Sequence, residues 1–199
     1  MKTYLDKNVY EAALERIAYC FQEFDNVLVA FSGGKDSGVL LNLCYNYADE
    51  HGLLDKLTMY HLDYEAQYQM TTEYVTRTFL EQFPGIRKMW YCVPIKAQSA
   101  CALGEPYWTP WDAAKKKLWV RAMPENPYVV HEGNLDVPFR HGMVDYEFQD
   151  KLSRHFAKKR GTTAVMVGLR ADESLNRYAA VAKKGDPTRA GSGLRRPVP

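Results

Sequence analysis

The first element that the hydrophobic pattern predicts is an amphipathic helix close to the start of the chain. Asn8 stands where a helix N-cap is expected, and Glu11 follows at the three-residue spacing of a capping box. Apolar side chains then recur at helical spacing on one face, at Val9, Ala13, Ile17, Phe21 and Phe24. We expect this face to pack against a sheet.

Four short apolar runs predict buried β-strands. They are bounded by turn signals and lack the strict alternation of a half-exposed strand, which is typical of strands covered on both faces. The runs lie at 27–31, 57–63, 89–95 and 162–167.

Helical patterns separate these four runs. One helix is predicted at about 38–50, and a second over 65–83, where Pro84 stops it. A third helix, 144–160, has an apolar residue at every fourth position and Gly161 as its C-cap. Strands that alternate with helices in this way predict an α/β fold with a three-layer parallel sheet and right-handed crossovers.

Segment 96–142 interrupts the alternation of strands and helices. It is rich in proline and holds three of the four tryptophans, with little helical periodicity. A long irregular segment inside a compact domain is usually functional or a lid, so we expect this insertion to lie over the ligand cleft. The predicted organisation is one domain, 1–182, followed by a basic tail, 183–199, whose glycine, proline and arginine content favours flexibility.

Charge is distributed unevenly along the 199 residues, although the net charge is only +2. Residues 1–150 carry 14 Lys and Arg against 21 Asp and Glu, whereas residues 151–199 carry 12 against 3. An anionic partner is therefore expected to meet the C-terminal part. Nucleic acid is one candidate partner, and a merely solvated basic tail is the alternative.

The sequence also indicates in which cellular compartment the protein is expected. There is no run of eighteen apolar residues and no apolar leader at the start, so neither a membrane span nor a secretory signal is predicted, and we expect a cytoplasmic protein. The four cysteines form no CxxC pair, which favours reduced, packed thiols over disulfides or a zinc site; they are Cys20, Cys44, Cys92 and Cys101.

The turn after the first strand carries the strongest chemical signal. In NVLVAFSGGKDSGVLLNL, Gly33 and Gly34 permit a sharp turn, and the free amides of the following helix point at the turn. Ser32 and Ser37 add hydroxyl groups and Lys35 adds a positive charge, so the turn is a cradle for an anion. Neither the Walker loop nor the dinucleotide-binding G-x-G-x-x-G pattern fits the spacing.

The pattern SGGxDS at a strand-to-helix turn resembles the PP-loop of the adenine-nucleotide alpha-hydrolase-like superfamily, whose sheet order is 3-2-1-4. The superfamily includes ATP pyrophosphatases and phosphoadenosine-phosphosulfate (PAPS) reductases. The resemblance implies ATP or a related nucleotide as ligand, with the phosphates held by Ser32, Gly33, Gly34, Lys35, Asp36 and Ser37. It also implies a role for Asp36 in orienting Mg²⁺.

The same resemblance implies that adenine lies near the end of the second strand, beside the backbone of His61, Leu62 and Asp63. For Asp63, a helix cap before the next helix is an equally open hypothesis.

A second signature, VGLRADESLNR, follows the fourth strand and is similar to the G-x-R-x-x-[ED]-S-x-x-R stretch of the PAPS reductase branch. The resemblance implies that Arg170 and Arg177 contact anionic groups, with Gly168, Glu173 and Ser174 at the ligand. In the order 3-2-1-4 the first and fourth strands are neighbours, so both signatures are expected at one cleft. The alternative is a pair of surface arginines that flank a capped helix.

The insertion 107–124 mixes aromatic and basic residues. Together with HLDYEAQY at 61–68 and GLRADES at 168–174, it looks like the immunoglobulin-binding regulator A (IbrA) type of PAPS-reductase-like protein. That resemblance implies a ParB-like partner and a distant relation to DNA phosphorothioation sulfurtransferases. The basic residues of the insertion either grip a polyanion or form a solvated face; they are Lys115, Lys116, Lys117 and Arg121. His131, His141 and His155 lack the spacing of metal ligands.

PAPS reductases carry a nucleophilic cysteine near the C-terminus, and this chain has no cysteine after Cys101. Thiol-dependent reduction is therefore not expected unless the chain is a fragment of such an enzyme. Two further hypotheses stay open: attack on the α-phosphate of ATP with release of pyrophosphate, catalysed by Lys35, Asp36, Arg170 and Arg177, or a regulatory subunit that binds the nucleotide without turnover.

Overall fold

The structure, a computed structural model, describes residues 6–99, 104–169 and 175. Its centre is a five-stranded parallel sheet in the order β6-β3-β2-β1-β7. The strands of this sheet are β1 Asn26–Ala30, β2 Leu57–Leu62, β3 Arg87–Cys92, β6 Val129–His131 and β7 Thr163–Val167. A separate antiparallel pair consists of β4 Ala97–Gln98 and β5 Tyr107–Trp108.

In the described part of the chain, the helices that flank the sheet are α1 Val9–Glu23, α2 Lys35–Glu50, α3 Gln69–Glu81 and α4 Asp145–Arg160. Short 3-10 helices occur at Leu54–Lys56 and Ala113–Leu118. The predicted capping box of α1 is confirmed, because the Glu11 amide donates to Asn8 Oδ1 over 2.9 Å and the Asn8 amide donates to Glu11 Oε2 over 3.1 Å. Among the described residues, no helix combines the length and apolar character that crossing a lipid bilayer requires.

Two hydrophobic cores cover the two faces of the sheet. Val27 and Val29 of β1 point to the face that α1, α2 and α3 cover, where Ile17, Phe21, Leu41 and Phe79 are buried. Leu28 points to the opposite face, which α4 covers with Phe148 and Leu152. Alternate residues of one strand therefore serve two cores, which explains the continuous apolar runs and confirms the predicted three-layer α/β fold.

The predicted strand order 3-2-1-4 is present as β3-β2-β1-β7, and β6 extends it at the outer edge of β3. The three residues of β6 lie inside the irregular insertion and were not predicted as a strand. Such a short strand carries too few residues to set a period, so only its pairing with 90–92 of β3 reveals it.

Three predicted boundaries were wrong. Helix α2 begins at Lys35 rather than near 38, because its first hydrogen bond already joins the Gly38 amide to the Gly34 carbonyl. Strand β3 ends at Cys92 rather than 95, since Pro94 has no amide to donate to a neighbouring strand.

The third wrong boundary is the start of α3, which begins at Gln69 rather than near 65. Asp63 Oδ1 accepts from the Glu65 amide over 2.8 Å, and Glu65 has a left-handed φ of 64°. These two features close a tight turn that a helix cannot continue through. Asp63 is therefore not the N-cap of α3, and that hypothesis is wrong.

Candidate functional site

The SGGKDS loop leaves the sheet directly after β1 and turns sharply at Gly33. The backbone of Gly33 is left-handed, with φ of 80°, and a Cβ atom there would lie 2.7 Å from Val75 Cγ2 and 3.0 Å from Thr71 Cγ2. Both the dihedral and the contact with α3 require glycine at this position. The loop is thus pressed against the first turns of α3.

Two serine side chains hold the loop closed. Ser37 Oγ donates to the Gly34 carbonyl over 2.9 Å and accepts from the Ser32 amide over 3.2 Å. The two serine oxygens lie 2.9 Å apart. Ser37 is only 5% exposed, whereas Ser32 is exposed. Ser37 therefore fixes the shape of the loop, and Ser32 is the serine that faces solvent.

Helix α2 presents its N-terminus to this loop. Its N-cap is Gly34, which has no side chain to cap the first amides. Lys35 is exposed, and Asp36 in the first turn is half-buried. The positive end of the helix dipole, an uncapped set of amides and a lysine charge thus meet at one exposed turn, which suits an anion.

The second signature reaches the same place through Gly168. A Cβ atom on Gly168 would lie 2.9 Å from the carbonyl carbon and oxygen of Asp36 and 3.0 Å from the Ser37 amide nitrogen. The chain that leaves β7 therefore packs backbone to backbone on the first turn of α2. The other predicted residues of this signature, Arg170, Glu173, Ser174 and Arg177, lie outside the described residues.

The end of β2 lies beside the start of the loop. His61 is fully buried, and its Nδ1 lies 2.8 Å from the Phe31 carbonyl oxygen. Asp63 uses both of its backbone groups within the fold, since its amide donates to the Tyr91 carbonyl and its carbonyl accepts from Trp111 Nε1. In a parallel strand, the backbone groups of alternate residues face the same neighbouring strand. In β2, those of Leu62 face the β1 side, beyond the last residue of β1, whereas those of His61 and Asp63 face the β3 side. Leu62 is therefore the residue of the three whose backbone groups are placed for adenine.

The carboxylate of Asp63 lies in a buried polar cluster. Arg121 Nη2 lies 2.6 Å from Oδ1 and 2.7 Å from Oδ2, and Trp90 Nε1 donates to Oδ2 over 2.7 Å. The Asp63 side chain is 0% exposed and that of Arg121 is 20% exposed. Arg121 is thus an internal partner of Asp63, so neither sequence hypothesis for it, a grip on a polyanion or a solvated face, describes its contacts.

Glu65 ties the insertion to the same cluster. Its carboxylate accepts from the backbone amides of Trp111 and Val120, at 2.8 and 2.9 Å, and its carbonyl accepts from Arg121 Nε over 2.9 Å. Together these residues form what we term the insertion anchor: Asp63, Glu65, Trp111, Val120 and Arg121. The anchor fixes the insertion to the turn between β2 and α3.

Sequence reasoning missed Glu65 and the role of Arg121, which is 58 residues from Asp63 in the chain. A left-handed glutamate after a buried strand gives no recognisable local pattern. The one available signal was an arginine among tryptophans, and that signal does not identify its acidic partner.

The described cysteines are packed thiols, as predicted. Burial raises the pKa of the Cys44 thiol to about 12 and raises the pKa of Cys20 and Cys92 as well. None of these three is poised to react as a thiolate. Cys101 lies outside the described residues.

Basic residues of α4 are partly neutralised within the fold. Lys151 pairs with Glu147, Arg154 with Asp150, and Lys159 with Asp136. The described portion of the basic C-terminal part is therefore less free to meet an anionic partner than its charge count indicates. In the described ranges, no group of three or more His, Cys, Asp or Glu residues is arranged to hold a metal ion.

A groove of about 700 Å³ lies beside β6 and is separate from the PP-loop. Residues of the insertion and of β6 line it, among them Trp119, Met123, His131 and Asn134. No residue of SGGKDS contributes to its wall.

The parallel sheet has a glycine-rich turn after its inner strand β1, and the chain that leaves the neighbouring strand β7 packs against this turn. These features define the class of PP-loop α/β proteins. Residues 26–186 match the family described as phosphoadenosine phosphosulfate reductase domain, and the chain belongs to that family.

One relative is similar over most of the chain. It is "Uncharacterized protein YbdN" of Escherichia coli (strain K12), which is 33% identical over 180 residues. The match covers 89% of this chain and 42% of YbdN. This chain thus spans about two fifths of that relative's length.

Proposed function

We propose that this chain binds ATP or a related adenine nucleotide through the SGGKDS loop and cleaves it at the α-phosphate, adenylating a substrate and releasing pyrophosphate. The observation that carries the proposal is the contact of Gly168 with the Asp36–Ser37 peptide, which brings the end of β7 onto the loop after β1. Open α/β sheets bind ligands outside the carboxyl ends of their strands, at the point where strand order reverses. The β1–β7 boundary is that point in this sheet.

The loop supplies the groups that a polyphosphate needs. The exposed residue Ser32, the amides at the start of α2 and the exposed residue Lys35 all belong to one turn. Hydrogen bonds to a charged phosphate are stronger than neutral ones, and the helix dipole adds to them. Catalysis would consist of positioning the nucleotide and neutralising the charge that develops on the leaving pyrophosphate.

The backbone of Leu62 suits the adenine base. Its amide is a donor and its carbonyl an acceptor, both directed past the end of β1. The edge of adenine carries a ring nitrogen acceptor next to an amino donor, which is the complementary pair. Because Asp63 has used its own backbone groups elsewhere, the base contact of the proposal is assigned to Leu62.

Mg²⁺ fits the donor set at the loop. Proteins bind this ion through one or two carboxylates together with phosphate oxygens and water, and Asp36 supplies one carboxylate in the first turn of α2. When bound, the ion would neutralise phosphate charge and help to orient the nucleotide. Arg170 and Arg177, with Glu173 and Ser174, are proposed to complete the anionic side of the cleft.

A second candidate function is a regulatory subunit that binds the nucleotide without cleaving it and acts through a ParB-like partner in the cytoplasm, as the IbrA type implies. Cys44 and Cys92 are buried and Cys20 is partly buried, which favours both candidates over thiol-dependent PAPS reduction.

Incubation with ATP labelled at the α-phosphate, together with an assay for free pyrophosphate, separates the two candidates. Release of pyrophosphate with transfer of the label to AMP or to an adenylated product, lost in Lys35→Ala and kept in the matched surface variant Lys117→Ala, supports the enzyme. Saturable binding without turnover supports the regulatory subunit. Reduction of PAPS by the purified chain in the presence of a dithiol would contradict both candidates.

A further inference from the structure

We propose that His61 is a positioning residue, which turns the Phe31 carbonyl away from Leu62 and so leaves the Leu62 amide available to the base. This inference rests on the proposed function, because it concerns how the adenine end of the same site is prepared. His61 does not touch the ligand in this proposal and acts only through the backbone.

The hydrogen-bond ladder between β1 and β2 lacks its next expected bond, the one between the Phe31 carbonyl and the Leu62 amide. Phe31 donates its amide to the Tyr60 carbonyl over 2.8 Å, and in a continued parallel ladder its carbonyl would next accept from the Leu62 amide. Instead the register ends at Ala30 with Tyr60. Among the described residues, no hydrogen bond joins the Leu62 amide to Phe31.

The His61 side chain, rather than the Leu62 amide, forms the hydrogen bond to the Phe31 carbonyl. Its Nδ1 lies 2.8 Å from the Phe31 carbonyl oxygen. A carbonyl oxygen only accepts hydrogen bonds, so Nδ1 carries the proton and donates. A side-chain bond thus interrupts the ladder at Phe31, the residue just before the SGGKDS loop.

The packing around His61 holds the ring in this orientation. The imidazole is 0% exposed, and its centroid lies 5.5 Å from that of Trp90 and 6.3 and 6.4 Å from those of Phe31 and Phe79. Burial lowers the pKa of His61, which keeps the ring neutral at physiological pH. A neutral ring with its proton on Nδ1 is the form that the Phe31 carbonyl requires.

An apolar residue at position 61 would change the backbone. Without the imidazole, the Phe31 carbonyl would lack its donor, and a buried unpaired carbonyl is costly. The nearest replacement is the Leu62 amide, so the ladder would gain one rung and the amide would no longer be available to a ligand. Loss of the imidazole is therefore expected to change the exchange of the Leu62 amide proton as well as the affinity for ATP.

The test compares His61→Leu, which removes the donor, with His61→Asn, whose amide nitrogen lies near the Nδ1 position. Hydrogen exchange of the Leu62 amide is followed by NMR with and without ATP. In the wild type, ATP is expected to slow this exchange. In His61→Leu, the exchange is expected to be slow already without ATP, while His61→Asn should behave as the wild type.

A comparison of ATP with inorganic tripolyphosphate, each with Mg²⁺, isolates the contribution of the adenosine part of the ligand to the affinity. The ratio of the two affinities is expected to fall about 5- to 10-fold in His61→Leu, as for one lost neutral hydrogen bond, and to stay near the wild-type ratio in His61→Asn. Tripolyphosphate affinity should be unchanged in both variants, because the phosphate groups of the loop are untouched.

Several outcomes would overturn the inference. An unchanged ratio in a folded His61→Leu, or a wild-type Leu62 amide that ATP does not protect, refutes it even if ATP binds through the loop. If His61→Leu fails to fold, the inference is still tested by whether ATP protects the Leu62 amide in the wild type and in His61→Asn. A wild-type chain that does not bind ATP refutes the proposed function and this inference together.

Discussion

The PP-loop and the insertion anchor lie at the ends of neighbouring strands, but polar groups of the loop are exposed, whereas the carboxylates of the anchor are buried. At the loop, an exposed serine, a lysine and the uncapped start of a helix face solvent. At the anchor, the carboxylates of Asp63 and Glu65 are buried and are met by an arginine and by backbone amides of the insertion.

The exposed polar groups of the loop can therefore form new hydrogen bonds with a ligand, whereas the carboxylates of the anchor are already paired within the protein. A buried charge is stable only when it is paired and hydrogen-bonded, and both carboxylates of the anchor already have such partners within the protein. The exposed groups of the loop are open to solvent, where a ligand can replace water. Substitutions at the anchor should therefore change stability first, and substitutions at the loop should change affinity first.

The largest expected effect is at the anchor. Arg121→Ala leaves Asp63 charged and buried without its ion-pair partner, and removing one member of a buried pair costs about 3–5 kcal/mol of unfolding free energy. Urea denaturation followed by circular dichroism measures this loss. Lys117→Ala, on the exposed 3-10 helix of the same insertion, is the control and should change stability by less than about 0.5 kcal/mol.

The next effect is at the loop glycine. Gly33→Ala places a Cβ atom in left-handed backbone and against Val75, which should cost roughly 2–3 kcal/mol and weaken ATP binding. Gly142→Ala is a matched control, because Gly142 also has a positive φ, of 70°, but open space around it. Equal losses of stability in the two variants would mean that the contact with α3 does not constrain the loop.

A smaller effect is expected from pH. Burial lowers the pKa of His61 in the folded state, an effect that outweighs the opposing influence of the Asp63 carboxylate. The fold therefore favours the neutral ring, and its contribution is complete above the ordinary histidine pKa and is lost as pH falls below it.

By linkage, this histidine accounts for at most about 2 kcal/mol of lost stability between pH 7 and pH 5. Urea midpoints across this range measure the loss, and His61→Asn should flatten the curve. A variant curve parallel to that of the wild type would contradict the buried neutral state.

The smallest expected effect on stability is at Gly168. Its Cβ position faces the backbone of Asp36 and Ser37, so Gly168→Ala should push β7 away from the loop. We expect a stability loss of about 1 kcal/mol but a roughly 10-fold weaker ATP affinity, measured by titration calorimetry. An unchanged affinity would mean that the β1–β7 boundary is not the ligand cleft.

The same contrast explains how much the sequence predicted. The layers and the glycine-rich turn after β1 follow from short-range patterns, since continuous apolar runs, helical spacing and the SGGKDS motif are all local. The strand order came from the family resemblance that this motif carries. The anchor is not local: Asp63 meets Arg121 across an irregular insertion, and no spacing rule connects them.

Features that depend on tertiary context were also missed. Strand β6 is defined only by its neighbour β3, and α3 starts late because of the turn at Asp63 and Glu65. His61 stands within an apolar run, where a pattern indicates only that it is buried. Its hydrogen bond to Phe31 joins two different strands and can be identified only from the three-dimensional structure.

The most direct test of the central claim is calorimetric titration with ATP and Mg²⁺ of the wild type and of a variant with Ser32, Lys35 and Asp36 all changed to Ala. We expect saturable binding by the wild type and at least a 100-fold loss in the variant, roughly the effect of two charge-assisted contacts, with an unchanged unfolding midpoint. Unchanged ATP affinity in the folded triple variant would contradict nucleotide binding at this loop, and with it both candidate functions.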